Sequence, residues 1–153
     1  MISKEGRVKI ADFGLAKEKV ADNKVAQSFC GSPAYLAPEM VNRRGVGKSA
    51  DIYGIGAVLY EMISGTPPFY AHDLTTMYNN ISKNKLMLHD YFSDELKDLL
   101  KMLLNKDPKV RIGVNNKEEI KKHPFFADIN WNKLYKREIE PPIDLVECKK
   151  ELN

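Results

Sequence analysis

Residues 49–69 read SADIYGIGAVLYEMISGTPPF, and the rest of the chain is organised around this stretch. Apolar side chains point in every direction of a helical wheel drawn from Ile52 to Ile63, which is typical of a helix in a protein core. The stretch is too short to cross a bilayer, which needs about 20 apolar residues. Ser49 suits the N-cap, and Gly65 with the prolines after it ends the helix. The stretch therefore predicts a buried central helix.

Length and composition indicate one globular domain. The chain has 153 residues, of which 43% are hydrophobic and 29% are charged, and its formal net charge is +3. Because basic and acidic residues alternate, we expect neither a nucleic-acid partner nor a membrane segment. Two cysteines do not make a disulfide framework, and no signal-like segment begins the chain. We therefore predict an intracellular, cytoplasmic protein.

The pattern before the central stretch predicts a short β-hairpin followed by a long loop. Turn residues around Gly6 precede Val8 and Ile10, which alternate with a polar residue as in a strand. Residues 11–39 have little periodicity, and a loop of that length is usually functional or disordered.

The pattern after the central stretch is helical throughout, so the fold class is mainly α. Asp73 and Ser93 suit the N-caps of two helices. Ser93 precedes an amphipathic run whose leucines recur at helical spacing. These leucines are Leu96, Leu99, Leu100, Leu103 and Leu104.

Two glycine motifs resemble nucleotide-binding signatures but carry little weight. The sequence GVGKS at 45–49 lacks the first glycine of a phosphate-binding loop, because position 42 is Asn. Gly54 and Gly56 lie inside the predicted helix, where they indicate close packing. Three histidines have no partner at metal-ligand spacing and are interpreted as surface or packing residues. They are His72, His89 and His123.

A more informative set of motifs brackets the long loop. Asp12-Phe13-Gly14 begins it, and Ala37-Pro38-Glu39 closes it. The first tripeptide alone also fits a simple turn after a strand, but the two in this order match the protein-kinase signature. Asp51 and Gly56 at the start of the buried helix, and Arg111 after a later Asp-Pro pair, continue the pattern. The chain therefore resembles the eukaryotic protein kinases.

The resemblance narrows to the AGC group of these kinases. Residues 28–39, SFCGSPAYLAPE, resemble the AGC activation segment. The sequence HPFF at 123–126 and the paired prolines at 141–142 resemble the end of an AGC catalytic domain that enters its C-terminal tail. Protein kinase B and its relatives form the branch that the chain resembles. The resemblance implies a partial kinase domain, the C-terminal lobe, over 1–126 and the start of the tail over 127–153.

Roles toward the nucleotide follow from the resemblance. Asp12 matches the carboxylate that binds Mg²⁺, and Phe13 and Gly14 complete the motif beside the cofactor. Ser28 matches the phosphosite of the activation segment, and Lys17 matches its basic partner. ATP and Mg²⁺ are the implied cofactors.

Roles toward the protein substrate also follow from the resemblance. The implied substrate pocket is a shelf of five residues: Gly31, Ser32, Pro33, Tyr35 and Leu36. Glu39 and Arg111 match a buried structural ion pair, and Asp51 matches a helix acid that holds the catalytic loop. Tyr53 stands where the family favours Trp, and we expect it to pack in the same place.

Parts of the kinase signature are absent from these 153 residues. We find no Gly-rich loop, no strand lysine and no H-R-D-x-x-x-x-N catalytic loop, and eleven residues precede Asp12. We therefore expect the chain to belong to a serine/threonine kinase with protein substrates and an activating kinase. By itself the chain should hold Mg-ATP poorly and transfer no phosphate.

Two alternatives remain open. The chain could be a non-catalytic helical module that binds a substrate or partner, or an incomplete gene product in which Met1 is an internal methionine. Without the catalytic loop and the neighbouring helix, an apolar surface around Ile52 would lack its cover and would promote self-association, unless a local rearrangement covers it.

Overall fold

The structure, a computed structural model, describes residues 1–3, 5–14, 16 and 32–141. The chain forms two compact units. The first comprises Met1–Ala16 and Asp128–Asn153, and the second comprises Lys17–Ala127. Among the described residues, no helix is long and apolar enough to cross a membrane.

Helices make up the regular structure of the described residues, which confirms the mainly α prediction. The second unit contains α1 (Pro38–Val41), α2 (Ser49–Ser64), α3 (Leu74–Lys83), α4 (Asp94–Leu103) and α5 (Glu118–Lys121). It also contains two 3₁₀ helices, Pro33–Tyr35 and Pro124–Phe126. The first unit contains α6 (Trp131–Tyr135).

The predicted β-hairpin is wrong. Ile2 and Val8 form one isolated antiparallel bridge, and the Ser3 N–H donates to the Arg7 carbonyl at 2.8 Å. The described part of the first unit contains no strand. Val8 and Ile10 are 76% and 85% exposed, so neither buries an apolar face against a partner. An isolated two-stranded hairpin is marginal in water, which explains why the ladder stops at one bridge.

Hydrogen bonds from the Arg7 side chain to backbone carbonyls link the two chain segments of the first unit. The Arg7 guanidinium donates to the Arg137 carbonyl at 3.1 Å and, at 3.5 Å, to the carbonyl of Ile139. Helix α6 begins after Asn130, whose side chain accepts a hydrogen bond from the Lys133 N–H at 3.0 Å. This cap satisfies one of the free N–H groups at the start of the helix.

One side of α2 forms the centre of the second unit. Tyr53, Ala57 and Tyr60 are at most 3% exposed and pack in the main core cluster with side chains of α3 and α4. The backbone of α2 approaches α4 closely at Gly56, where a Cβ atom would lie 2.8 Å from the Cβ of Leu103. On this side the prediction of a core helix is confirmed.

The opposite side of α2 is exposed in the described structure, so the expectation that the helix is buried all round is wrong. Met62 is 78% exposed, Ile55 58%, Val58 45% and Ile63 40%. Ile52 itself is half-buried and packs against a second, smaller core cluster. The apolar surface therefore lies one to three turns after Ile52. We call these four residues the exposed apolar face of α2.

Helix α4 is amphipathic as predicted, and its leucines reach both core clusters. The side chains of Leu96 and Leu100 belong to the main cluster. Those of Leu99 and Leu103 belong to the second, together with Ile112. Because α4 contributes to both, it joins the two parts of the core.

The predicted N-caps Asp73 and Ser93 are confirmed. The carboxylate of Asp73 accepts from the N–H three residues later at 2.8 Å, and the hydroxyl of Ser93 does the same at 3.2 Å. Ser49 is not a cap. It is the first residue of α2, Lys48 is the N-cap, and the Ser49 hydroxyl donates to Glu39 at 3.4 Å.

The close approach at Gly56 gives a test of the core packing. Gly56→Ala places a methyl group against Leu103, and overpacking of this kind costs about 1–3 kcal/mol. Gly54→Ala is the matched control, because a Cβ there meets nothing within 4 Å. Both variants gain about 1 kcal/mol of helix propensity, so the difference between them isolates the packing cost. Urea unfolding should show Gly56→Ala to be the less stable variant. Equal midpoints would contradict this packing.

Candidate functional site

The described residues directly before α1, 32–37, form a compact segment that is anchored to the core. Ser32 is exposed and begins the 3₁₀ helix Pro33–Tyr35, in which the Tyr35 N–H donates to the Ser32 carbonyl at 3.2 Å. Leu36 and Ala37 follow with 3% and 0% exposure and tie the segment to the core. The exposed hydroxyl of Ser32 is therefore held on a rigid base. The shelf keeps the five residues named above, and all of them except Gly31 are described.

The side chain of Tyr35 fixes the shelf to α2. Its hydroxyl donates to the carboxylate of Glu61 at 2.6 Å. Acceptance of this hydrogen bond by Glu61 raises the pKa of Tyr35, because the bond is lost when the phenol ionises. Sequence reasoning missed Glu61. The available signal was a single acid near the end of an otherwise apolar helix.

Glu39 and Arg111 form a bidentate ion pair in the interior of the second unit. Arg111 Nη1 lies 2.7 Å from Glu39 Oε1, and Nη2 lies 3.0 Å from Oε2. The two residues are 5% and 1% exposed. Parallel charge-assisted bonds of this kind are among the strongest in proteins. The structure thus brings together two residues that the resemblance had paired.

Two further donors of Arg111 are also satisfied. Nη1 donates to the Ser49 carbonyl at 2.6 Å, and Nε donates to the Asn105 carbonyl at 3.0 Å. A buried guanidinium needs this set of partners to offset its loss of hydration. Arg111 consequently connects α1, the start of α2 and the segment after α4.

Tyr53 packs beneath this ion pair. Its ring centroid lies 5.1 Å from the Arg111 guanidinium carbon, and its side chain is fully buried. Within the described residues its hydroxyl has no hydrogen-bond partner. Burial accordingly raises the pKa of Tyr53, since the phenolate would be desolvated. Tyr53 therefore packs in the core, as expected.

Asp12, Phe13 and Gly14 lie in the first unit, whereas the shelf lies in the second. All three are exposed. Asp12 has a left-handed backbone with φ of 64°, and its carboxylate accepts from the Gly14 N–H at 3.4 Å. A left-handed non-glycine residue costs about 1–2 kcal/mol and often marks a functional position.

The carboxylate of Asp12 is the candidate metal ligand. Mg²⁺ is held in proteins by one or two carboxylates together with phosphate oxygens, so Asp12 suits one ligand position. The part of the chain that the structure describes contains no group of three His, Cys, Asp or Glu side chains that could hold a metal ion.

One further predicted site residue lies on α2, and three others lie outside the described residues. Asp51 is exposed in the first turn of α2. Lys17, Ser28 and Gly31 lie outside the described residues.

Of the glycines and histidines to which we gave no binding role, three have a packing role. Gly56 packs tightly, but Gly54 does not, so close packing at Gly54 is a wrong prediction. His123 is buried and lies 3.2 Å from the Asp98 carboxylate. His89 contacts the Tyr60 hydroxyl at 3.2 Å. Both histidines are packing residues, as expected.

Comparison with known proteins matches this chain to kinases. The family model for the protein kinase domain matches residues 1–126. Human ribosomal protein S6 kinase alpha-6 is 47% identical over 142 residues, which are 93% of this chain and 19% of that protein. Mouse ribosomal protein S6 kinase alpha-3 is 46% identical over 144 residues, which are 93% of this chain and 20% of that protein. The chain spans about a fifth of the length of these curated relatives.

The buried ion pair gives a test of the site. Glu39→Ala leaves the guanidinium of Arg111 unpaired in the core, which should cost about 3–5 kcal/mol of unfolding free energy. The control is Glu118→Ala, which removes a half-exposed pair with Lys121 and should cost less than about 1 kcal/mol. Thermal unfolding measures both. A melting temperature of Glu39→Ala no lower than that of the control would show that the pair does not hold the segment.

Proposed function

Since the chain belongs to the protein kinase family and its relatives are AGC serine/threonine kinases, we propose that it is part of an enzyme that phosphorylates serine or threonine in proteins. The whole enzyme uses ATP as the phosphate donor and Mg²⁺ as the metal. Residues 1–126 are the part of the kinase domain from the metal-binding motif onward, and 127–153 begin the tail. The assignment of this chain to the protein kinase B branch of the AGC group stays a prediction.

The observation that carries this proposal is the anchoring of the shelf. Tyr35 is bonded to Glu61 on α2, and Glu39, a few residues further on, is bonded to Arg111. Phosphoryl transfer depends almost entirely on positioning and electrostatics, so the acceptor hydroxyl must be held still. A shelf anchored at Tyr35, and followed by the anchored Glu39, supplies such a support.

Within this proposal each residue of the shelf has a function toward the substrate. Ser32 contributes an exposed hydroxyl beside the acceptor, and Gly31 lets the substrate backbone approach. Pro33 and Tyr35 form the surface on which the substrate lies, and Leu36 ties that surface to the core. Supporting this view, Ser32 is exposed, Pro33 and Tyr35 are partly exposed, and Leu36 is buried.

We propose that Asp12 is the metal ligand and that Phe13 and Gly14 set its backbone. The left-handed φ of Asp12 supports this role, because strain of this kind persists where geometry matters for function. Asp51 would hold a catalytic loop contributed from outside these 153 residues. The proposal places the enzyme in the cytoplasm, where thiols stay reduced.

We further propose that the 153-residue chain by itself transfers no phosphate. A single carboxylate does not bind Mg-ATP, and the sequence contains no catalytic-loop base. The exposed apolar face of α2 would then favour self-association of the isolated chain. Light scattering of the purified chain tests this second point, and a monomer at all concentrations would contradict it.

A chimera tests the proposed activity. The kinase-domain residues that precede the matching segment in human ribosomal protein S6 kinase alpha-6 are fused to this chain. Radiolabelled ATP and a serine-containing basic peptide are then supplied. We expect incorporation by the chimera, none by the chain alone, and none by the chimera with Asp12→Ala.

The unmodified relative serves as the positive control for this assay. A folded chimera without activity, beside an active relative, would favour the non-catalytic module. Incorporation by the chain alone that disappears in Asp12→Ala would instead contradict its proposed inactivity.

Ser28 is the proposed phosphosite. A phosphate adds about −1.5 to −2 charge at pH 7 and attracts cations, and Lys17 is the proposed partner. Incubation with an AGC-activating kinase should phosphorylate Ser28, as read by mass spectrometry of the digested chain. Ser28→Ala is the control and should abolish most of the modification. Modification at Ser32 with Ser28 untouched would reject the assignment.

A further inference from the structure

A cleft of about 790 Å³ opens in the second unit beside the Glu39–Arg111 pair. Residues from the connection between α1 and α2 and from the connection between α4 and α5 line most of the cleft. The GVGKS sequence at 45–49, which has no role in the proposed phosphate transfer, contributes to the lining.

The lining of the cleft carries net positive charge. Arg44 and Lys109 line the cleft and are exposed, and among the described residues their side chains have no hydrogen bond or ion pair. Lys106 adds a third cation. The negative charge of Asp107 opposes these cations, but its carboxylate already accepts a hydrogen bond from the Lys109 N–H at 2.9 Å. Glu39 also lines the cleft, but its charge is neutralised by Arg111.

Lys106 is a fixed cation. Its ammonium donates to the carbonyls of Ile81 at 2.5 Å and Asn80 at 3.3 Å, and lies 4.2 Å from the ring centroid of Phe69. These partners are neutral, so they orient the ammonium without cancelling its charge. Burial lowers the pKa of Lys106 to about 8, which leaves it mostly protonated at pH 7.

The lining of the cleft suits a peptide. Prolines, glycines and a valine line it beside charged, amide and hydroxyl groups, and a peptide carries apolar and charged side chains that match both. At Gly47 a Cβ atom would meet nothing within 4 Å, so there is room for an entering side chain. Nucleic acid needs many phosphate contacts, and three cations in a concave site provide few.

We propose that this cleft binds an acidic segment of a partner protein, with its carboxylate side chains placed between Arg44, Lys106 and Lys109. The inference is independent of phosphate transfer, because none of these three residues belongs to the shelf or to the metal-binding motif. Complementary charge at such a site mainly sets specificity and association rate.

Fluorescence anisotropy of the whole chain with a fluorescein-labelled peptide of alternating Glu and Ala tests the proposal at low salt. The double variant Arg44→Glu with Lys109→Glu should weaken binding about tenfold or more, because both attractions become repulsions. Gly47→Phe should weaken it by filling the cleft without changing charge. A peptide with Gln in place of Glu should not bind.

Matched control variants distinguish binding in the cleft from a general effect of the net charge of the protein. Lys101→Glu with Lys122→Glu makes the same change in net charge at exposed positions that do not line the cleft. Gly54→Phe adds the same ring at another open glycine. Neither control should change the affinity for the Glu peptide. Circular dichroism confirms that each variant is folded.

Three outcomes would overturn the proposal. The first is unchanged binding in both cleft variants, and the second is equal weakening by the two charge-reversed doubles. The third is that a single-stranded oligonucleotide binds more tightly than the peptide and displaces it, and that Gly47→Phe also weakens the binding of this oligonucleotide. That result would make the cleft a nucleic-acid site.

Discussion

Close packing of α2 against α4 is the constraint on which the second unit depends. At Gly56 the α2 backbone lies so near Leu103 that an added methyl group would overlap it. This contact sets the position of α2, and α2 carries both anchors of the shelf region. The Ser49 carbonyl at its start accepts from Arg111, and Glu61 near its end accepts from Tyr35. A glycine in the core thus determines where a surface segment lies.

Features that depend on neighbouring residues in the sequence were predicted well. The caps at Asp73 and Ser93 and the leucine stripe of α4 each arise within a few residues, where helix periodicity and free N–H groups decide the outcome. Glu39 and Arg111 are different. They lie 72 residues apart, and no periodicity relates them. Their pairing was anticipated only because the chain resembles kinases.

Features that depend on tertiary surroundings were predicted poorly. Composition alone could not tell which sides of α2 have neighbours, so Met62 was assigned to the core although it is mostly exposed. Ser49 was read as a cap because local preference ignores the buried carboxylate that its hydroxyl contacts. Gly54 and Gly56 look alike in sequence, yet only one of them faces α4. The hairpin failed because Val8 has no core to cover.

The Glu39–Arg111 pair also restricts how this sequence can change over evolutionary time. Loss of either partner leaves a buried charge without compensation, whereas apolar replacement of both can be nearly neutral. The two substitutions are therefore strongly epistatic, and every single-step route between the ionic and the apolar solutions passes through a destabilised intermediate. Arg to Lys is no easier, because one ammonium cannot reproduce the fork that spans Glu39, Ser49 and Asn105. Sequences that inherit the pair should therefore keep it, because each single replacement destabilises the fold.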